Sequence, residues 1–376
     1  MTITSWLKQV RQLVSGYTGP AKEGHLLACL RDASPDELIA LSGDTRLTHD
    51  LVASVERHRQ PLLDWAGTTL PNLPPANRGS WLPALTLAGQ AGRQTATNLL
   101  LGATDDLRAL LDGVDALGDH RDLEWLVYTR LDGAQRDAVL AHIAQQGESW
   151  PEAVRVISDV DDTVVATFVD PLYPSGTVYP GVLALLERCG HGAPVTIVTA
   201  RPEGQAGFLE DHLRRMLAAR SVATATVLSG RLRNLLGYNA MATRKVINIE
   251  HMTQLHPKDN FVLFGDTRQG DIQLAHRAVE AWPGRVLGVF IHELAQPRPP
   301  DHQDSRRVTF FDTYIDAAAT AVNWGLLTTG DLDAVVAEAR QDLAGVAFRN
   351  AANAQAAQVS LQVSINELPD RLMRSL

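Results

Sequence analysis

Aspartates that directly follow an apolar run in mid-chain are the residues whose types and spacing suit chemistry. The run through Val156 and Ile157 stops at Asp159, Asp161 and Asp162. A short Val- and Ile-rich run predicts a buried parallel strand, and open α/β sheets bind ligands at that end of their strands. Crowded carboxylates require a cation or a proton to offset their repulsion. The run predicts a Mg²⁺ site with a nucleophilic carboxylate, and taken alone it is equally compatible with an acidic turn.

The spacing within this cluster separates its members. Asp159 and Asp161 are two residues apart and fall on the same side of an extended chain. We therefore predict that both are catalytic and that Thr163 steadies the turn. Asp162 falls on the other side of the chain, so we leave it out of the catalytic set.

Later in the chain, two more segments carry residues that phosphoryl transfer needs. Thr199, Ala200 and Arg201 end the next predicted strand, where a hydroxyl, a helix start and a guanidinium would bind phosphate. Gly265–Asp271 ends a further strand and contains Asp266 and Asp271. Lys245, one of only four lysines in the chain, lies between these segments.

Each of these residues has an ordinary alternative role. Asp266 would serve equally as a helix cap and Thr199 as a helix N-cap, and most lysines are solvated. Their order in the chain nevertheless favours phosphoryl transfer, since that reaction consists mostly of positioning and neutralisation of charge.

The elements that would position these residues alternate between strands and helices. This alternation predicts an α/β fold with a Rossmann-like parallel sheet of at least five strands. The short segment 164–180 leaves room for a flap but not for a large inserted cap. The predicted strands are Val154–Val160, Val195–Thr199, Thr224–Leu228, Phe261–Phe264 and Val286–Ile291.

The flanking regions are predicted to be helical. We expect an all-α domain over residues 1–150, a catalytic domain over 151–297 and a helical extension over 298–376. Within the extension, helices are predicted near Phe311–Asn323 and Asp331–Gln341.

Composition and charge narrow the function classes. A net charge of −9 does not indicate the basic surface that binds nucleic acid, and two cysteines are too few for a disulfide framework. No apolar stretch is long enough to span a membrane and no signal peptide is evident, so we expect a cytoplasmic protein.

Together these motifs resemble the haloacid dehalogenase-like phosphohydrolase superfamily. Residues 150–297 are most similar to the catalytic domain of the actin-patch-associated phosphatidate phosphatase family. The similarity rests on Ile157–Val164 with its doubled aspartate and on Gly265–Asp271. It is supported by Leu228–Gly230, by Arg244-Lys245 before Ile247, and by Val286–His292.

The resemblance implies a mechanism and a role for each residue. Asp159 would be the nucleophile, Asp161 the general acid and base, and Lys245 the neutralising cation. Mg²⁺ would be held by Asp159, the backbone carbonyl of Asp161, Asp266 and Asp271. Thr199, with Ala200 and Arg201, would bind the phosphate.

The substrate is less constrained than the chemistry. The family usually has a Ser-Asn-Ser-Pro type of loop where this chain has Thr199-Ala200-Arg201-Pro202. A membrane lipid phosphate, met by peripheral association with a membrane surface, is the expectation from resemblance. A phosphoprotein, a nucleic-acid end and a soluble metabolite are alternatives, as is a vestigial enzyme that acts as a scaffold. The N-terminal helices are expected either to cover the site or to bind a protein partner.

Overall fold

The computed structural model describes residues 2–16, 19–117, 121–167, 170–202, 224–230, 238–268, 270–294 and 307–373, with the side chains of 199–202, 224–230, 238–242 and 244 left out. The chain divides into two compact units. One contains residues 1–150 together with 254–257, and the other contains 151–253 and 258–376.

The first unit is helical, as the sequence predicted. Ser34 caps α3 through a capping box with Glu37, and Asp132 caps α10 in the same way with Gln135. Trp65 and Trp81 meet edge to face at 5.4 Å in the core. The helices are α1 Ile3–Val14, α2 Pro20–Arg31, α3 Pro35–Ser42, α4 Thr45–Ser54, α5 Arg59–Thr69, α6 Pro75–Gly79, α7 Trp81–Leu85, α8 Gly89–Gly102, α9 Leu107–Asp115 and α10 Gly133–Gly147, with a π-helical turn at Trp125–Arg130 and 3₁₀ turns at Leu70–Asn72 and Thr86–Ala88.

The second unit is built on a parallel sheet of six strands in the order β3-β2-β1-β4-β5-β6. This confirms the predicted α/β class and the minimum of five strands. The strands are β1 Ala153–Ser158, β2 Val195–Pro202, β3 Thr224–Gly230, β4 Asp259–Asp266, β5 Val286–His292 and β6 Val308–Phe311. The order reverses between β1 and β4, which makes that junction the topological switch point of the sheet.

Alternation along the strands sends side chains into two separate cores. Val156 and Val262 face one core, whereas their neighbours Ile157 and Leu263 face the other. Because both faces are apolar, helices must cover both. The helices of this unit are α11 Val182–Cys189, α12 Tyr238–Leu255, α13 Asp271–Ala281, α14 Tyr314–Asn323, α15 Thr329–Ala344 and α16 Ala351–Met373, and the last two residues of α12 belong to the first unit.

The predicted flap contains a small antiparallel pairing. Val165 bridges Val178, and the amide of Ala166 donates to the carbonyl oxygen of Thr177 at 2.8 Å. The amide of Tyr179 donates to the carbonyl oxygen of Val164 at 3.1 Å. The turn after β1 therefore continues directly into the flap.

Several boundaries differ from the sequence-based expectation, and three of them bear on the elements around the predicted site. The residues Val308–Phe311 form β6, where the predicted helix was to begin at Phe311, because this β-branched and aromatic run pairs with β5. The helix that carries Lys245 begins at Tyr238 and not at Arg244. The strand β2 continues to Pro202, so a helix does not begin at Thr199.

Among the helices that the structure describes, none combines the length and the apolar character needed to cross a bilayer.

A glycine in β5 makes room for an aromatic side chain on the sheet. A Cβ atom at Gly288 would lie 2.7 Å from Cζ3 of Trp324, the residue that caps α14. We predict that Gly288→Ala lowers the free energy of unfolding by about 1–3 kcal/mol through overpacking. Urea unfolding of the two proteins, followed by circular dichroism, measures the difference.

The exposed Gly284 supplies the matched control, since a Cβ atom there meets nothing within 4 Å. Gly284→Ala should leave the urea midpoint close to that of the wild type. Equal midpoints for both variants would contradict the packing assigned to Gly288.

Candidate active site

The site lies at the topological switch point of the sheet. Asp159 directly follows β1, and Asp266 is the last residue of β4. The amide of Asp159 donates to the carbonyl oxygen of Phe264 at 3.0 Å, which extends the pairing of β1 with β4. Two parallel strands thus deliver one carboxylate each to the same edge, as the sequence predicted.

Asp271 and Lys245 complete the cluster from two helices. Carboxylate oxygens of Asp159, Asp266 and Asp271 all lie within 4.8 Å of one another, and all three residues are buried. The Lys245 ammonium, also buried, lies 3.1 Å from Oδ2 of Asp159 and donates a short hydrogen bond to Asp271. Four residues that are scattered over the sequence therefore meet in one buried group.

Two glycines allow this close approach. A Cβ atom at Gly265 would lie 2.5 Å from Oδ2 of Asp271, so only glycine leaves space for that carboxylate. Gly270 adopts the left-handed conformation, with φ of 82°, and turns the chain into α13 at Asp271. The amide of Asp266 then donates to Oδ2 of Asp271 at 3.2 Å.

Burial makes this group costly to ionise. The pKa of Asp159 is raised to about 7, mainly by burial, with Lys245 opposing the shift and Asp271 adding to it. Burial, with the carboxylates of Asp271 and Asp159, also raises the pKa of Asp266. Burial raises the pKa of Asp271, with Lys245 opposing the shift. Burial alone would lower the pKa of Lys245, but Asp159 and Asp271 raise it, so the ammonium stays charged.

The donor set fits a hard divalent cation. Three carboxylates and one ammonium leave an excess of two negative charges when all are ionised. Among the residues described, no hydrogen-bond donor reaches the buried Oδ1 of Asp159 or Oδ2 of Asp266. Oxygen ligands of this type suit Mg²⁺, Mn²⁺ or Ca²⁺. The cluster therefore has both unused acceptors and unbalanced charge for a cation to satisfy.

A tight turn places Asp161 beside the cluster. The Val160 carbonyl oxygen accepts from the amides of Val164 at 2.8 Å and Val165 at 3.0 Å. Asp161 is buried and contributes to the raised pKa of Asp159. Its side chain is not part of the three-carboxylate group, and the resemblance assigned its backbone carbonyl to the metal.

Asp162 has a structural task in this turn. It adopts a left-handed backbone with φ of 59°, which non-glycine residues rarely do. Its Oδ1 accepts from the amide of Thr167 at 2.7 Å, and its own amide donates to the carbonyl oxygen of Val165 at 2.7 Å. Asp162 thus links the turn after β1 to the flap.

Two aromatic residues at this site lay outside the predicted set. The His292 Nδ1 lies 3.0 Å from the carbonyl oxygen of Asp162, and the Tyr314 hydroxyl donates to the carbonyl oxygen of Thr163. Because His292 ends β5, the rule that strand ends carry function could have found it. Tyr314 begins α14, and no sequence signal connects it with the distant turn.

The predicted phosphate-binding residues cannot be assigned in the same way. Thr199, Ala200 and Arg201 belong to the backbone of β2, but their side chains lie outside the described residues. Their role remains a prediction. The register between β2 and β3 shifts between Val198 and Pro202, so this end of β2 is irregular.

The charge imbalance predicts how stability depends on pH and metal. A folded-state pKa of Asp159 near 7, above its ordinary value of 3.8, means that the folded protein binds more protons than the unfolded one. In EDTA, Tm should therefore fall as the pH rises from about 4 to about 7. A divalent cation competes with those protons and should restore Tm more at pH 8 than at pH 5. At one hundred times its Kd it adds about 2.7 kcal/mol.

Differential scanning fluorimetry with and without Mg²⁺ measures this effect. Asp266→Asn should abolish the Mg²⁺-induced rise in Tm at pH 8, whereas Asp333→Asn, an exposed aspartate on α15, should retain it. A rise that survives in Asp266→Asn would show that the cation binds elsewhere.

Comparison with known proteins supports the interpretation of this site. Residues 154–293 match the family model described as phosphatidate phosphatase APP1, catalytic domain, in agreement with the resemblance noted in the sequence. Neither the curated proteins nor the solved structures contain a match to the chain. The segment 154–293 carries β1 and Asp159, Lys245, Asp266 and Asp271. The match identifies this segment with a phosphatase catalytic domain and confirms the expected enzyme class, a phosphoric monoester hydrolase.

Proposed function

We propose that this protein is a Mg²⁺-dependent, haloacid dehalogenase-like phosphatase that acts through an aspartyl-phosphate on Asp159. The buried cluster of Asp159, Asp266, Asp271 and Lys245 at the switch point of the sheet carries this proposal. A carboxylate in such a place is desolvated and lies 3.1 Å from a permanent cation. These are the conditions that a nucleophile for phosphoryl transfer needs.

The chemistry divides between two aspartates. A carboxylate oxygen of Asp159 attacks phosphorus, and the bond between phosphorus and the leaving oxygen breaks. The carboxylic acid of Asp161 gives its proton to that leaving oxygen. In the second half, Asp161 takes a proton from water, which attacks the phosphorus of the aspartyl-phosphate and releases inorganic phosphate. The net reaction consumes one water and regenerates both side chains.

Lys245 neutralises charge in both halves. Its ammonium contacts both Asp159 and Asp271, so it favours the ionised nucleophile and holds it in one orientation. We further propose that Thr199, with the backbone around Ala200 and the Arg201 guanidinium, binds the phosphoryl oxygens.

We assign the cation to Asp159, Asp266 and Asp271, together with the carbonyl oxygen of Asp161. The unused acceptors on Asp159 and Asp266 support this assignment. When bound, a divalent cation supplies positive charge opposite the phosphoryl oxygens. The carboxylates would hold it at a fixed place, and Lys245 would limit the remaining negative charge.

We predict that Asp159→Asn lowers kcat for an aryl phosphate by at least about a thousandfold, because the amide cannot form the phosphoenzyme. Asp161→Asn should lower kcat by about 10²–10⁴-fold, the range for loss of a general acid and base. Phosphate release in saturating Mg²⁺ measures both, and EDTA should abolish turnover by the wild type.

The control for that experiment is the exposed Asp333→Asn, which should turn over at the wild-type rate. Activity in Asp159→Asn comparable to that of wild type would contradict the nucleophile assignment. Inactivity of the wild type on any phosphomonoester with Mg²⁺ would favour the alternative of a vestigial enzyme that binds a partner.

We propose that the substrate is a lipid phosphate of the phosphatidate class, reached by peripheral association with a membrane surface. The family match over 154–293 supports it, as does the short flap, which leaves no large cap over the described part of the site. The loop Thr199-Ala200-Arg201-Pro202 departs from the family pattern and favours testing soluble phosphates as well.

A substrate panel under identical Mg²⁺ tests the lipid proposal. We expect kcat/KM for phosphatidate in mixed micelles to exceed that for glycerol 3-phosphate by at least about tenfold, because the glycerol compound offers the same phosphate without acyl chains. A phosphopeptide and a 3′-phosphorylated oligonucleotide complete the panel. A preference for any soluble member over phosphatidate would refute the lipid assignment and leave the phosphatase assignment intact.

A further inference from the structure

The turn that carries the proposed acid and base, Asp161, is held by contacts from outside itself. Its internal hydrogen bonds converge on the Val160 carbonyl oxygen, which accepts from the amides of Thr163, Val164 and Val165. The outward-facing carbonyl oxygens of Asp162 and Thr163 need other donors. His292 and Tyr314 supply them.

The Tyr314 hydroxyl is suited to this task. The side chain is 2 % exposed, and its hydroxyl donates to the Thr163 carbonyl oxygen. Its ring packs against Phe311 at 4.9 Å and His292 at 5.4 Å. A phenol held in this way positions the turn and has little freedom to move.

The N-terminus of α14, where Tyr314 lies, is held in place by its own contacts. Thr313 caps α14 through a capping box with Asp316, and its Oγ1 also donates to Oγ of Ser364 on α16 at 2.9 Å. The Arg371 guanidinium lies 3.3 Å from Oδ1 of Asp316. Tyr314 therefore connects the catalytic turn to two packed C-terminal helices.

His292 makes the second attachment from the sheet. A carbonyl oxygen only accepts, so Nδ1 of His292 carries the hydrogen that is shared with Asp162. Where β4 pairs with β5, His292 lies opposite Asp266, a proposed cation ligand. The turn is thus tied to the same strand edge that holds the cluster.

We propose that Tyr314, with His292, is a positioning residue for the phosphatase reaction. It would hold the turn of residues 160–165 so that Asp161 reaches the leaving oxygen. Tyr314 lies beyond the matched segment 154–293, so the C-terminal helices would be a working part of the catalytic unit. This inference rests on the proposed function, since it concerns the geometry of Asp161 in that reaction.

The Tyr314→Phe variant tests the proposal, because it removes only the hydroxyl and keeps the ring packing. With the full chain, an aryl phosphate and saturating Mg²⁺, we expect kcat to fall about 10- to 100-fold, the usual effect of a small misplacement, while KM changes less than twofold. The pH profile of kcat should keep its shape at a lower height. A lost or shifted alkaline limb would instead make Tyr314 an acid or base and overturn the positioning role.

Tyr128→Phe is the matched control, since its hydroxyl also donates a hydrogen bond, to Oε1 of Gln254 at 2.8 Å, near the end of α12 and nine residues beyond Lys245. It should keep the wild-type kcat. Rates are normalised to the folded fraction, measured by circular dichroism. If kcat per folded Tyr314→Phe molecule stays within twofold of wild type, the proposal is overturned.

A second pair of variants addresses His292. An asparagine amide can replace the Nδ1 donor, so His292→Asn should retain more of kcat per folded molecule than His292→Leu. Equal kcat in this pair would overturn the role of the hydrogen bond to Asp162.

Failure of the proposed function is distinguished by an inactive wild type, and the inference would then fall with it. An active wild type with an unaffected Tyr314→Phe variant would remove the inference alone.

Discussion

Mutual repulsion of three buried carboxylates, opposed by a single ammonium, is the constraint on which this site depends. Lys245 can offset one of the three charges on Asp159, Asp266 and Asp271, and burial raises the cost of the remaining two. Without a cation the cluster meets this cost by retaining protons. In the proposed reaction Asp159 must be ionised to attack phosphorus, so the protonation state that favours folding is not the one that the proposed reaction requires. A bound divalent cation would resolve the conflict, because it would favour the ionised form that the proposed reaction needs.

The sheet determines where this conflict is located. At the switch point, β1 and β4 are neighbours, and the helices that follow them leave on opposite faces. The carboxyl ends of the two strands therefore face the crevice at which open α/β sheets bind their ligands. Asp159 and Asp266 occupy those ends, and Gly265 removes the one Cβ atom that would displace Asp271. The close approach of the three carboxylates thus depends mainly on the geometry of the backbone.

The sequence was sufficient to predict the carboxylate cluster because its signals are local. An acidic residue that follows a strand pattern is expected at the carboxyl edge of a parallel sheet. This rule points to Asp159, Asp161, Asp266 and Asp271. Lysine is rare in this chain, and Lys245 lies between the acidic segments, which is why the sequence points to it. The start of its helix was not predicted, since that helix begins seven residues before Lys245, at Tyr238. The four-residue strand β6 was missed since so short a run is not distinguishable from the start of a helix.

The contacts made by Tyr314 and Asp162 could not be predicted for a different reason. The left-handed backbone of Asp162 depends on a turn whose hydrogen bonds close over five residues, and the partner of Thr163 is 151 residues away in sequence. No periodicity encodes such a pairing. Predictions based on strand ends identify the carboxylates that meet at the edge of the sheet, but not the side chains that hold the neighbouring turn.

The contacts that fix the turn of residues 160–165 extend beyond the segment that resembles known phosphatases. The match ends at residue 293, whereas the outer strand β6 pairs with β5 and covers its edge. Beyond it, the Asp342 carboxylate accepts from the amide of Gly181 at 3.0 Å, and Asp331 lies 2.9 Å from the Arg188 guanidinium, so α15 contacts α11 and the end of the flap. A turn of six residues cannot satisfy its own outward carbonyl groups. Whatever donates to those groups shares control of the geometry at Asp161, and in this chain one of the donors is supplied by α14.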